Sequence, residues 1–93
     1  MKFPFDEPKN VAVFTCKHIL EDGVDICYIS HDEEDGCWQF LCGSNDHIES
    51  DARIISLKHA FDLDNSIGKL ADMPLGCGAI RKKKGASWQD FRK

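Results

Sequence analysis

No apolar run in this 93-residue chain approaches the ~18 residues that a membrane-spanning helix needs, so no membrane segment is expected. After Lys2 the N-terminus lacks the long apolar stretch of a secretory signal, and the compartment expected is the cytoplasm. A phosphate-cradling loop is missing too: Gly76 and Gly78 are not followed by the further glycine and helix that such a loop requires, so no nucleotide cofactor is expected. Neither a nucleophile motif nor an acid–base motif is recognisable, and the chain is not expected to be an enzyme or to carry a cofactor. Five cysteines are too many to ignore and odd in number. Cys16, Cys27, Cys37, Cys42 and Cys77 lie in apolar segments, which fits reduced, mostly buried thiols better than a disulfide framework.

What is present suits one small globular unit, with 42% hydrophobic and 30% charged residues. The length allows a single core, read as an N-terminal arm (1–10), one domain (11–88) and a short C-terminal tail (89–93). The net charge of −4 hides an asymmetry. Residues 1–79 hold six Lys/Arg against fifteen Asp/Glu, whereas residues 80–93 hold six against one. The body is acidic and the end is basic.

The pattern predicts an α+β fold, a small antiparallel β-meander with one or two short helices packed on one face. Val11 to Cys16 is apolar on both parities, as in a central strand. Glu21-Asp22-Gly23 reads as the turn of a hairpin into a second strand from Val24 to Ser30. Asp35-Gly36 leads into a third strand, Cys37 to Gly43, whose Trp38 and Phe40 should meet the core. After the polar stretch Ser44 to Asp51, Arg53 to Leu57 suggests a short strand running into a helix. Ser56 is its N-cap, and Leu57, Ala60 and Phe61 form its buried stripe. Asp64 can cap a further helical turn through Ile67 and Leu70, which Pro74 and Gly76 end, so helix is expected only in the middle of the chain. Cys77 to Ile80, with Arg81, makes a last strand, and Trp88 and Phe91 are expected to fold back over the core.

Several phrases also resemble an uncharacterised bacterial family related to the immunity proteins of polymorphic toxin systems. They are Thr15-Cys16-Lys17-His18, Ser30-His31-Asp32 with Asp35-Gly36-Cys37-Trp38-Gln39-Phe40, Asp51-Ala52-Arg53-Ile54-Ile55-Ser56-Leu57, and Ala71-Asp72-Met73-Pro74-Leu75-Gly76 with Ala79, Arg81 and Trp88. The match runs from about Val11 to Trp88, with Cys77 where the pattern has an aromatic. The resemblance implies a compact α+β domain without known catalysis, found alone or beside toxin-linked genes, some members of which neutralise a partner toxin by binding it.

Three groups of residues could carry function. Asp32, Glu33, Glu34 and Asp35 place four carboxylates on one loop, where they would speed encounter with a basic protein partner or simply keep the loop solvated. These four are the protein-binding residues expected. Cys16, His18, Cys42 and His47 are the donor types of a structural zinc site, although their spacing matches no known pattern, and buried thiols are the plainer reading. Cys16 and His18 are expected on the same side of a strand, as are Trp38 and Cys42, so a four-ligand cluster across neighbouring strands is geometrically possible. Cys16 with a histidine also has the residue types of thiol catalysis, without its motif. Finally, Arg81-Lys82-Lys83-Lys84 and Trp88 could track a nucleic-acid backbone, but the acidic body would repel it and a solvated tail is the reading preferred. A dimer through the sheet edges remains open.

Overall fold

The sheet takes its order from the strand that is apolar on both parities. In the computed structural model, which describes residues 3–5, 7–34, 36–43 and 51–92, β1 (Ala12–Cys16) lies inside the sheet with a neighbour on each side. It pairs antiparallel with β4 (Ala52–Ser56) and parallel with β3 (Trp38–Leu41). β2 (Tyr28–His31) follows as the hairpin partner of β3, and then come β5 (Cys77–Ile80) and β6 (Gln89–Arg92), giving the order β4-β1-β3-β2-β5-β6. Thr15 ties the parallel pair together, donating its buried Oγ1 to the Phe40 carbonyl at 2.7 Å.

The α+β class is as expected, but the sheet is mixed and is not a pure meander. β1 and β2 are not hairpin partners. The residues read as their turn form helix α1 (Lys17–Asp22), closed by Gly23 at φ 70°. A glycine that can take positive φ serves a hairpin turn and a helix C-cap equally well, and nothing local separates the two. Helix is therefore not confined to the middle of the chain. The second strand is also shorter than expected: Val24 to Cys27 are not strand, although Ile26 is buried.

The remaining elements follow their local chemistry. β4 runs straight into α2 (Leu57–Leu63), where the Ser56 hydroxyl accepts from the His59 N–H at 3.1 Å and Leu57, Ala60 and Phe61 are buried. Asp64 caps a 3₁₀ helix (Asn65–Leu70) by accepting from the Ser66 N–H.

All the helical elements supply buried residues to one side of the sheet. Val13, Ile29, Trp38, Phe40 and Ala79 are buried there, and Ile19, Leu57, Ala60, Phe61 and Ile67 close the core over the first four of them. Phe5, in the stretch expected as an arm, is buried in the same core, with its ring 5.3 Å from Trp38 in an edge-to-face arrangement. Gln89–Arg92, within the stretch expected as tail, is the edge strand β6. Trp88 does pack against the core, but Phe91 does not cap it. Register places Phe91 opposite Gly78, on the other face of the sheet. No helix among the described residues is long and apolar enough to cross a membrane.

Candidate functional site

Side-chain parity gives the sheet a second face, and no helix among the described residues lies over it. Pairing sets Ile54 beside Phe14, Phe14 beside Gln39, Leu41 beside Tyr28, and Tyr28 beside Ile80. Ile54 is 66% exposed, Ile80 43% and Phe14 37%. Leu41, Tyr28 and Phe91 are half-buried, and the rings of Tyr28 and Phe91 lie 5.6 Å apart. An apolar row thus crosses five strands, with a groove between β1 and β3 lined by Phe14, Gln39 and Leu41. Sequence reading missed this face. The signal was weak, because Ile54 and Ile55 offer an apolar residue to either side and only the register decides which one is left in solvent.

The acidic loop adjoins one end of this face. Asp32 Oδ2 accepts from Gln39 Nε2 at 2.7 Å, and Asp32 Oδ1 accepts from Ser30 Oγ at 3.4 Å, so this carboxylate is folded onto the face. Glu33 and Glu34 are exposed, and the Glu33 carboxylate lies over Gly76. Asp35 lies outside the described residues. The three described carboxylates are therefore not one uniform patch: Asp32 braces the loop, and Glu33 and Glu34 project from it.

On the helical side, the same end of β2 is held by a polar cluster that the sequence did not suggest. Trp38 Nε1 donates to Glu7 Oε2 at 2.7 Å, and His31 Nε2 lies 3.6 Å from the same oxygen. The His31 ring stacks on Trp38 at 4.0 Å, while its Nδ1 donates to the Met73 carbonyl at 2.9 Å. Glu7 comes from far along the chain, so no local pattern announces this contact.

A second site forms where β1 and β3 end. Being parallel neighbours, they deliver Cys16 and Cys42 to the same edge of the sheet, and the first turn of α1 brings His18 alongside. Cys16 Sγ, a ring nitrogen of His18 and Cys42 Sγ lie within 4.8 Å of one another, with Cys42 Sγ 4.0 Å from His18 Nδ1. Three of the four residues proposed as zinc ligands thus meet, and the fourth, His47, lies outside the described residues. The route differs from the one expected. Cys16 and His18 do not share a strand face; strand ends and helix begins between them.

The cysteines differ in setting. None of the five is in a disulfide, and only Cys16 is fully buried, so the expectation of mostly buried thiols holds for one of them. Burial pushes the Cys27 thiol up, outweighing the opposing pull of Arg81.

The basic end is split between a buried and an exposed part. Arg81 is buried and paired with Asp64, and its guanidinium sits 4.2 Å from the centre of the Trp88 ring. The cation and the aromatic that would have tracked and stacked are occupied with each other. Lys82, Lys83 and Lys84 remain exposed.

No protein-family model matches the chain, and no curated protein or solved structure matches it either.

Proposed function

We propose that this is a non-enzymatic, protein-binding domain of the immunity type, which acts in the bacterial cytoplasm and neutralises a basic toxin domain by covering it. The observation that carries this reading is the open sheet face, where Ile54, Phe14, Leu41, Tyr28 and Ile80 follow one another across five strands beside Asp32, Glu33 and Glu34. The largest contiguous apolar patch on a protein surface is often a functional one.

Size says how the face would be used. Five strands about 4.8 Å apart, each about four residues of about 3.3 Å, give a footprint of roughly 300 Å². A stable interface takes about 800 Å² from each partner, so the face needs the neighbouring acidic loop to complete it. Apolar contact would then supply affinity, while the exposed carboxylates favour a basic partner and raise the rate of encounter.

The test is capture followed by rescue. Proteins retained from a lysate of the source bacterium by the wild-type chain are compared with those retained by an Ile54→Asp, Ile80→Asp variant, and each is then expressed alone in a bacterial host. The expected result is a basic protein that arrests growth, is released by the variant and is neutralised by co-expressed wild type. If both chains retain the same proteins, or none of the proteins is toxic, the reading fails.

A further inference from the structure

Thiolate sulfur and imidazole nitrogen are the donors that a borderline-soft, d¹⁰ divalent ion prefers, and two of the first with one of the second is a common set. Here that set comes from three places in the chain: the last residue of β1, the first turn of α1 and the residue after β3. It is the one cluster of three or more His, Cys, Asp or Glu donors with metal-binding spacing among the described residues. We propose that Cys16, His18 and Cys42 supply three ligands of a zinc site that pins α1 and the chain leaving β3 to the end of β1. This proposal is independent of the protein-binding reading.

The distances suit it. A tetrahedral zinc, about 2.3 Å from sulfur and about 2.1 Å from nitrogen, sets its donors about 3.6 to 3.8 Å apart. Cys42 Sγ and His18 Nδ1 are already at 4.0 Å, and no pair in the cluster exceeds 4.8 Å. Side-chain movements of about 1 Å or less, well within rotamer adjustment, close the remaining gap. On binding, the two thiols lose their protons to solvent and the sulfurs coordinate as thiolates. The fourth tetrahedral position lies outside the proposal.

Burial separates Cys16 from a thiol nucleophile. Cys16 is only 2% exposed, which suits an ion drawn in among its ligands and not a nucleophile that must reach a substrate carbon. The backbone is fixed on both sides, since Thr15 is bonded to Phe40 across the parallel pair. Cys16 and Cys42 therefore sit on elements whose separation is already set, so little chain entropy remains to be lost when the ion binds.

The experiment titrates the full, reduced, metal-free chain with zinc and with cobalt(II). One ion per chain is expected. The cobalt form should show visible bands of a tetrahedral centre and sulfur-to-cobalt charge transfer of two thiolates, halved in Cys16→Ser and in Cys42→Ser. His18→Ala should weaken zinc binding by at least the ~10-fold that losing even an outer-shell partner of a ligand typically costs. Cys77→Ser should change neither reading.

Because a variant at the buried Cys16 could unfold, two readings use the wild-type chain alone. The cobalt spectrum counts thiolates without any substitution, and zinc should slow alkylation of Cys42 roughly 10-fold by masking its thiolate while Cys37 and Cys77 keep reacting. A wild-type cobalt spectrum with fewer than two thiolates, no protection of Cys42, or full charge transfer in a folded Cys42→Ser variant would overturn the site.

Discussion

Arg81 and Asp64, seventeen residues apart, form an ion pair at 2.5 Å with both side chains almost wholly out of solvent. Arg81 spends its other donors as well, giving Nε to the Ile26 carbonyl at 2.9 Å and a terminal nitrogen to Ser66 Oγ at 3.1 Å. Asp64 in turn caps the 3₁₀ helix. One guanidinium thus joins the end of β5, the segment before β2 and the helical layer. Removing it leaves a carboxylate buried with its main partner gone, which typically costs about 3–5 kcal/mol. Arg81→Met is therefore expected to lower the thermal midpoint by at least about 12 °C, at roughly 4 °C per kcal/mol for a domain of this size. Differential scanning calorimetry measures it; a drop of only a few degrees would mean that the pair contributes little.

The same pair sets a pH dependence. Burial alone would raise the Asp64 carboxyl, but hydrogen bonds from Ser66 and Arg81, together with the Arg81 charge, outweigh it and hold the group below its ordinary value. A carboxyl depressed in the folded state adds stability that is complete above its unfolded pKa of about 3.9 and is lost as pH falls towards the lower folded value. Asp64→Asn should thus be less stable than wild type at pH 7, and the gap should narrow steadily below about pH 4. Urea midpoints across that range check it, and a gap that stays constant would remove Asp64 as the cause.

Glu7 is expected to matter for stability despite its place near the chain end. In Glu7→Ala the Trp38 indole N–H loses its acceptor while the ring stays buried, and an unsatisfied buried donor costs about 1–3 kcal/mol. Glu7→Gln keeps an acceptor oxygen and should cost less than half as much. Equal losses in the two variants, read from denaturant unfolding, would point to the charge next to His31 instead of the hydrogen bond.

Gly78 lies where two side chains cannot. A methyl group there would fall 2.8 Å from the Ile29 carbonyl oxygen and would collide with the ring of Phe91. Gly78→Ala is expected to push β6 away from β5 and cost about 1–3 kcal/mol, the usual range for overpacking. Combining it with Phe91→Ala should recover part of that loss. Amide exchange in residues 89–92 reports it, faster in the single variant than in the double.

For the acidic loop, replacing Asp32, Glu33, Glu34 and Asp35 with Asn or Gln should leave the fold intact, because Asp32→Asn keeps a side-chain oxygen to accept from Gln39. Association with the captured partner should slow, most strongly at low salt where screening is weakest. An unchanged on-rate in stopped flow would remove the loop from the binding surface.

Elements announced by a run of neighbouring residues were legible from the sequence by itself. The caps at Ser56 and Asp64 and the buried stripe Leu57-Ala60-Phe61 rest on interactions within a few residues, and the alternation that turns Trp38 and Phe40 inward and the apolar run at Cys77 are local patterns too, although the strand at Cys77 is followed by β6 and is not the last. The donor set Cys16, His18 and Cys42 was legible as chemistry, because thiol and imidazole suit zinc wherever they lie. Whether they meet was for the tertiary structure to decide. Had β1 and β2 formed the expected hairpin, β3 would not have been the parallel neighbour of β1 and Cys42 would have been carried away from Cys16. The same holds for the open face and for Glu7. Strand order and register place those side chains, and both are settled by the whole set of long-range pairings, in which a glycine such as Gly23 can end a helix or turn a hairpin at nearly the same local cost.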